Sequence, residues 1–447
     1  MKDLTKDNIY KTFLVFAIPL VLSGFLTQAY QIIDTIIAGR YLGADGIAAI
    51  GATSSCIQLI SSLFWGFATG TSVYIAMLFG AKDYENLKSS LYSNFVLYTG
   101  TIIAIAVILI AFQNQVFDFM KVDNSIRGDA GIYYTIYLSG IVMILLNHFG
   151  ISALNALGIS GFCFAMSLVS TVLNIAGNLI SVTVLNAGVT GLAASSVFAG
   201  IVVDVFYFVK IRQCFKKMGL KTSRMQFSKA AIRRTFSFSL PPMIQQTVMY
   251  VASFLISPLI NGLGAAATAA YTVVHRLYEI NANVYQNSAK TLTTYTAQCI
   301  GAKKYDKIKK GVGVALIQGI AFLLPLLLVC SIFANDICAL FFSKGYTGDG
   351  LTFSVDFAKY FLPLILFNVI NNLFHAFYRG VKCMNLLVIS TTIGSVARIV
   401  ASIVLSRFFG IYGVYGGWVV SWIIEAMFCT CTYFIGVWKK NLENNGI

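Results

Sequence analysis

The stretch Gly80-Ala81-Lys82-Asp83-Tyr84-Glu85-Asn86-Leu87-Lys88 returns as Gly301-Ala302-Lys303-Lys304-Tyr305-Asp306-Lys307-Ile308-Lys309, 221 residues later. Working outward, Leu42-Gly43-Ala44 with Ala48-Ala49 recurs at the same offset as Leu263-Gly264-Ala265 with Ala269-Ala270. Phe16-Ala17-Ile18-Pro19-Leu20 and Phe238-Ser239-Leu240-Pro241-Pro242 match one residue out of step. Solenoid repeats have periods of about 20–50 residues, so this long period is a duplicated unit and not a repeat array. Two copies of an apolar unit in one chain are a hallmark of secondary transporters.

The solvent of that unit follows from composition. Of the 447 residues, 57% are hydrophobic and only 11% charged, with a mean hydropathy of +0.78. Soluble domains carry roughly 25% charged residues, so lipid is the main environment. Twelve apolar segments long enough to cross about 30 Å of hydrocarbon are expected. They lie near 12–37, 45–79, 90–112, 131–152, 162–184, 189–209, 234–260, 267–300, 311–334, 355–376, 384–406 and 413–437. Their continuity argues against a barrel, whose strands alternate over about ten residues. No signal peptide is expected, because the run after Lys11 is too long for a leader core. The nine cysteines show no metal-ligand spacing and read as small hydrophobes.

A net charge of +15 would suit nucleic acid, but the apolar segments sort it. With the N-terminus inside, inner segments hold 23 Lys and Arg and outer ones six: Arg40, Lys121, Arg127, Lys344, Lys359 and Arg407. That asymmetry predicts a plasma-membrane protein with both termini cytoplasmic and cations facing anionic headgroups. No nucleic-acid partner is needed. Lys210–Arg234 holds nine of the inner cations and no acid. The expected division is therefore an N-terminal six-helix bundle at 1–215, a basic linker at 216–233 and a C-terminal bundle at 234–447. Gly188-Val189-Thr190-Gly191 recurring as Gly413-Val414-Tyr415-Gly416 extends the duplication to the ends of both halves. An even number of helices per half makes the repeats parallel.

Four acids fall inside apolar segments: Asp34, Asp204, Glu279 and Glu425. An ionised carboxylate there costs about 2.5–3.5 kcal/mol or more, so each needs a partner, water or a proton. Ser23, Thr27, Gln31 and Asp34 share one face of the first segment. That face belongs toward the bundle interior, unless Asp34, six residues before Arg40, is simply a helix-end acid. The fifth segment offers a facing stripe of Ser167, Ser170 or Thr171, Asn174, Asn178 and Ser181. Its asparagines serve either a proton or ion site around Asp34 or as interhelical hydrogen-bonding glue.

The ordered set Ile18-Pro19, Asp34-Thr35, Gly39-Arg40-Tyr41-Leu42-Gly43-Ala44 and the doubled Gly-Ala-Lys resembles the multidrug and toxic compound extrusion (MATE) transporters over nearly the whole chain. The resemblance implies two pseudo-symmetric six-helix bundles around a central cavity, an all-α membrane protein that exports drugs against entering protons or sodium. It also implies that Asp34 is the coupling acid. In sodium-binding members an Asn is followed four residues later by Asp, with a Ser or Thr further on. Asn174 and Ser196 fit, but Asn178 stands at the acid position, which favours protons over sodium. The family often places a carboxylate in the seventh helix, where this chain has Ser253, Phe254, Leu255 and Ile256.

Polar and aromatic side chains on the remaining stripes are candidates for a substrate cavity: Thr27, Tyr30, Gln31, Gln58, Trp65, Gln246, Glu279, Asn283, Lys290, Asn371 and His375. Tyr74, Tyr137, Tyr250, Tyr271 and Phe374 could stack flat cations in the same way. Glu279 is expected to pair with Arg276 at i,i+3, and Lys290 to be a fixed cavity charge or the partner of Glu425. The substrate expected is an organic cation, the chain a monomer, and no cofactor is expected beyond the coupling ion. The alternative is a flippase for a lipid-linked or anionic precursor, which His275, Arg276 and Lys290 would suit. An enzyme is disfavoured, because no HExxH or GxSxG pattern exists and His148, His275 and His375 lie in separate segments.

Overall fold

The computed structural model describes residues 3–5, 8–119, 127–185, 187–220, 226–342 and 346–439, without the side chains of 31–32, 35–36, 38–56, 59, 119, 129, 189 and 265. Among the described residues the fold is helical, with no strand. The helices are α1 (Ile9–Gly80), α2 (Tyr84–Ala111), α3 (Gln113–Phe119), α4 (Arg127–Ala156), α5 (Ser160–Thr183), α6 (Gly188–Lys217) and α7 (Lys229–Gly262). They continue as α8 (Ala265–Gly301), α9 (Asp306–Ile332), α10 (Ala334–Ala339), α11 (Asp349–Asp356), α12 (Leu366–Gly380), α13 (Met384–Phe409) and α14 (Ile411–Ile435). A π turn at Phe357–Phe361 and a 3₁₀ turn at Leu362–Ile365 join α11 to α12, where Pro363 lacks a donor for α-helical bonding.

Two particulars of the expected spans stand out here. The segments expected at 12–37 and 45–79 both lie inside α1, which runs from Ile9 to Gly80. No proline occurs between Gly39 and Asp45, so nothing in the backbone chemistry forces the helix to stop there. Eleven spans among the described residues are apolar enough to cross a membrane, and α8 is not one of them. Its His275, Arg276, Glu279, Asn281, Asn283, Gln286, Asn287 and Lys290 lower its hydropathy, although it is long enough at 37 residues. Those polar groups are what make α8 worth inspecting for function.

The chain divides into two compact units. The first holds Met1–Asp3 and Leu22–Met243; the second holds Leu4–Val21 and Ile244–Ile447. In the first, α4 packs on α6 and α2, and α5 packs on α6. Asn94 donates to Thr235 Oγ1 at 2.7 Å, and Ser239 Oγ donates to the Phe67 carbonyl at 3.1 Å. The latter contact brings α1 and α7 so close that a methyl on Gly70 would lie 2.3 Å from Ser239 Cα. In the second unit, α13 packs along α14, and α8 packs on α9, α11 and α12. Large apolar side chains such as Phe254, Phe408 and Phe434 are at least 75% exposed, which only a hydrocarbon surrounding makes tolerable.

Four short helix-to-helix turns share one design. Lys82, Lys303 and Lys382 adopt φ of 59°, 56° and 61°, and Gly158 a φ of 74°. In each case the next N–H reaches back five residues: Asp83 to Leu78 O, Ile159 to Leu154 O, Lys304 to Cys299 O and Cys383 to Tyr378 O, at 2.8–3.0 Å. These are Schellman caps, which satisfy helix-end carbonyls. At the first, Asp83 then caps the following helix by accepting from the Asn86 N–H.

Candidate functional site

Asp34 lies on α1 in the first unit and is half-buried. One turn before it, Tyr30 hydrogen-bonds the carboxylate, and its hydroxyl also meets Ser196 Oγ of α6 at 3.3 Å. From α5, Asn178 donates from Nδ2 to Asp34 Oδ1 and, at 2.9 Å, to Asn174 Oδ1. Asn174 in turn donates to Ser196 Oγ at 2.9 Å. The result is a closed ring: Asp34, Asn178, Asn174, Ser196, Tyr30 and back to Asp34. Tyr133 and Tyr137 of α4, stacked with centroids 5.7 Å apart, lie within electrostatic reach of the carboxylate. Asn174 and Asn178 are 3% and 0% exposed, so their bonds are not shared with bulk water.

The chemistry of that ring is governed by Asn178. Its –NH₂ bridges two oxygens, where a carboxylate in its place would put negative charge against negative charge. Its own Oδ1 is buried and takes no hydrogen bond among the described residues. The ring can therefore hold a charged Asp34 with the Asn178 amide and the Tyr30 hydroxyl as donors, while a protonated Asp34 needs an acceptor in return.

The other expected cavity residues distribute unevenly. Thr27 is exposed and returns its hydroxyl to Ser23 O at 3.0 Å. Gln58 is exposed, and Trp65 meets the His148 ring at 5.3 Å, tilted by 59°. The side chain of Gln31 lies outside the described residues. Asp204 on α6 lies near Tyr98 and Tyr207, and its Oδ2 takes no hydrogen bond among the described residues.

In the second unit Glu279 meets Arg276 at 3.3 Å, the spacing the sequence suggests, and His275 at 3.6 Å. Lys290 donates to Asn287 Oδ1 of its own helix at 2.8 Å, a partner not foreseen in the sequence reading. Glu425 instead meets His375 at 3.1 Å. Asn371 is 0% exposed and donates to the Trp422 carbonyl, so it ties α12 to α14 and does not face open space. Asn283 and His375 are likewise buried, the first accepting from Asn287. Gln246 is half-buried; its neighbour Gln245, which the sequence did not single out, is the one drawn into the polar network. Arg398 also escaped notice. It lies 4.6 Å from the Trp418 ring and donates to Tyr271 at 3.2 Å, so this aromatic surface already holds the protein's own cation.

Duplicated runs of membrane-crossing helices enclosing polar, acid-bearing interiors define a membrane transporter, not an enzyme. A family model described as MatE matches residues 19–180 and again 241–404, once per half of the repeat, and the chain belongs to the MatE family. It is 25% identical over 356 residues, 77% of this chain and 76% of the other, to a Bacillus subtilis protein named "Probable multidrug resistance protein YoeA". Among solved structures it resembles a variant of the Vibrio cholerae MATE transporter VcmN with a TM-score of 0.90 and 18% identity, over 97% of this chain and 98% of that one. It also resembles a Pyrococcus furiosus transporter of the MOP superfamily, described by reversed polarity of its binding pocket, with a TM-score of 0.89 and 18% identity over 98% and 97% of the chains. At such identities the structural likeness speaks for the fold.

Proposed function

We propose that this protein is a proton-coupled exporter of amphiphilic xenobiotics, working by alternating access, with Asp34 as the coupling acid. The ring of Asp34, Asn178, Asn174, Ser196 and Tyr30 carries this reading. A proton on Asp34 reverses one donor–acceptor relation, because a carboxyl O–H must then find an acceptor. The free, buried Asn178 Oδ1 offers one if the amide turns over. Protonation thereby reorders bonds linking α1, α5 and α6. Sodium would want several anionic oxygens, and Asn178 supplies none. The curated relative named for multidrug resistance supports drug-like substrates.

The test is transport in proteoliposomes under separately imposed gradients. A proton gradient should drive substrate movement, a sodium gradient at equal pH should not, and Asp34→Asn should bind substrate but lose gradient-driven export. Sodium-driven transport by the unaltered chain would overturn the proton assignment. A second reading, export of an anionic amphiphile, is favoured by Arg276, Lys290, Arg379, Arg398 and Arg407 outnumbering Glu279 and Glu425 among the helices α8 and α12–α14. Competition between ethidium and an alkyl phosphate for transport separates the two.

A further inference from the structure

We infer that His375 and Glu425 form a second proton-binding site, inside the second unit, and that Gln245 and Arg379 respond to its occupancy. His375 is 6% and Glu425 8% exposed, on α12 and α14. Their closest approach is Nε2 to Oε1 at 3.1 Å. Yet Oε1 is buried without a properly aligned hydrogen bond, so this carboxylate is close to the ring but not satisfied by it.

The tautomer of His375 follows from its neighbours by two independent routes. Arg379 has only donors and contacts Gln245 Oε1 at 3.3 Å, which fixes that amide's orientation. Gln245 Nε2 must then face His375 Nδ1, at 3.1 Å, and Thr391 Oγ1, at 3.2 Å. An –NH₂ only donates, so Nδ1 is bare. On the other side, Ser390 Oγ spends its hydrogen on Leu387 O at 3.0 Å. It must accept from Nε2, also at 3.0 Å, so Nε2 carries the hydrogen. Together the routes give a neutral imidazole whose Nε2–H is donated to Ser390, with Glu425 Oε1 close by but unaligned.

That arrangement has one vacancy for a proton, and filling it has a structural consequence. A proton taken from water onto Nδ1 yields an imidazolium beside the Glu425 carboxylate. Nδ1–H then opposes the Gln245 –NH₂, donor against donor. The amide must turn to present Oε1, which withdraws that oxygen from Arg379. One proton thus rewires α7, α12, α13 and α14 together. The titratable and charged groups facing this cluster are Tyr278 from α8 and Cys429 from α14, near Glu425, and Lys290 from α8, near Arg379. Gly394 of α13 makes the room: a methyl there would lie 2.9 Å from Glu425 Oε2.

The inference goes beyond the export reading and is tested without substrate. Protein labelled with 15N-histidine in lipid nanodiscs has three rings to resolve, and His375→Gln identifies one of them. At pH 8 that ring should show a protonated Nε2 and a bare Nδ1, and the next proton it takes up should appear on Nδ1. Glu425→Gln should reduce proton uptake on acidification by about one per chain. Gln245→Glu, which turns a donor into an acceptor, should move the proton to Nδ1 at pH 8 even if the Glu425 variant folds poorly. The same behaviour in an Asp34→Asn background keeps this result separate from the first site. An Nδ1–H tautomer at pH 8 in the unaltered protein, identical titration in Glu425→Gln, or an unmoved proton in Gln245→Glu would overturn the proposal.

Discussion

Replacing Asn178 by Asp puts a second carboxylate against Asp34, where an amide now donates to it. Two carboxylate oxygens about 3 Å apart repel by about 5 kcal/mol at an effective dielectric near 20. Asn174 Oδ1, now the acceptor of Asn178 at 2.9 Å, adds a second lost bond of about 1 kcal/mol. A penalty of that size is comparable to the whole stability of many domains, so the variant needs a cation between the oxygens. Sodium at a hundred times its Kd would return about 2.7 kcal/mol. A proton would do the same, and since the folded state would bind more protons than the unfolded one, stability should fall as pH rises. The assay is thermal melting of purified protein in detergent at pH 8, in sodium chloride against choline chloride of equal ionic strength. The unaltered chain should melt alike in both. Asn178→Asp should melt lower in choline and recover in sodium, or at pH 5. Indifference of the variant to both sodium and pH, with unaltered melting, would mean that position 178 does not face Asp34, and the reasoning would collapse.

Other outcomes follow from packing and backbone geometry. Gly70→Ala drives a methyl to 2.3 Å from Ser239 Cα and 2.4 Å from Phe238 O, backbone that cannot yield cheaply. It should cost about 1–3 kcal/mol or more by chemical denaturation, whereas Gly100→Ala, with nothing within 4 Å, should be neutral or stabilising. Lys382→Gly relieves a left-handed lysine and should gain about 0.5–1 kcal/mol net of chain entropy, read as a raised melting midpoint. For topology, in a cysteine-free background, an impermeant thiol reagent added outside should miss Lys216→Cys and label Thr347→Cys; the opposite pattern would invert the assigned orientation.

The helical, membrane-spanning character was legible because hydropathy is additive along the chain and needs no tertiary information. The duplication was legible because Gly80–Lys88 and Gly301–Lys309 keep side chains as well as backbone roles. The Asp34 ring was half legible: one-face spacing brought Asn174 and Asn178 forward, but Tyr30 bonding to both Asp34 and Ser196 depends on how α1 and α6 approach. The second unit resisted for the same reason. Spacing along α8 gives Arg276 with Glu279, but His375 with Glu425 joins residues 50 apart in sequence and on different helices. The choice of Gln245 over Gln246 turns on a helix rotation of about 100°, finer than a weakly amphipathic apolar helix reveals.

The four capped turns bear on how the chain reaches the bilayer. Each joins the end of one long helix to the start of the next within a few residues: α1 to α2, α4 to α5, α8 to α9 and α12 to α13. A turn that short leaves no slack, so its two helices must arrive as a hairpin and not as independent spans. The left-handed residue is lysine at three of the four, where glycine would be less strained. Placing a cation at the bend gives those three hairpins a charged tip that resists being dragged through hydrocarbon. The same few residues that close the hydrogen bonding of the helix thereby hold the hairpin's tip on the side from which it entered.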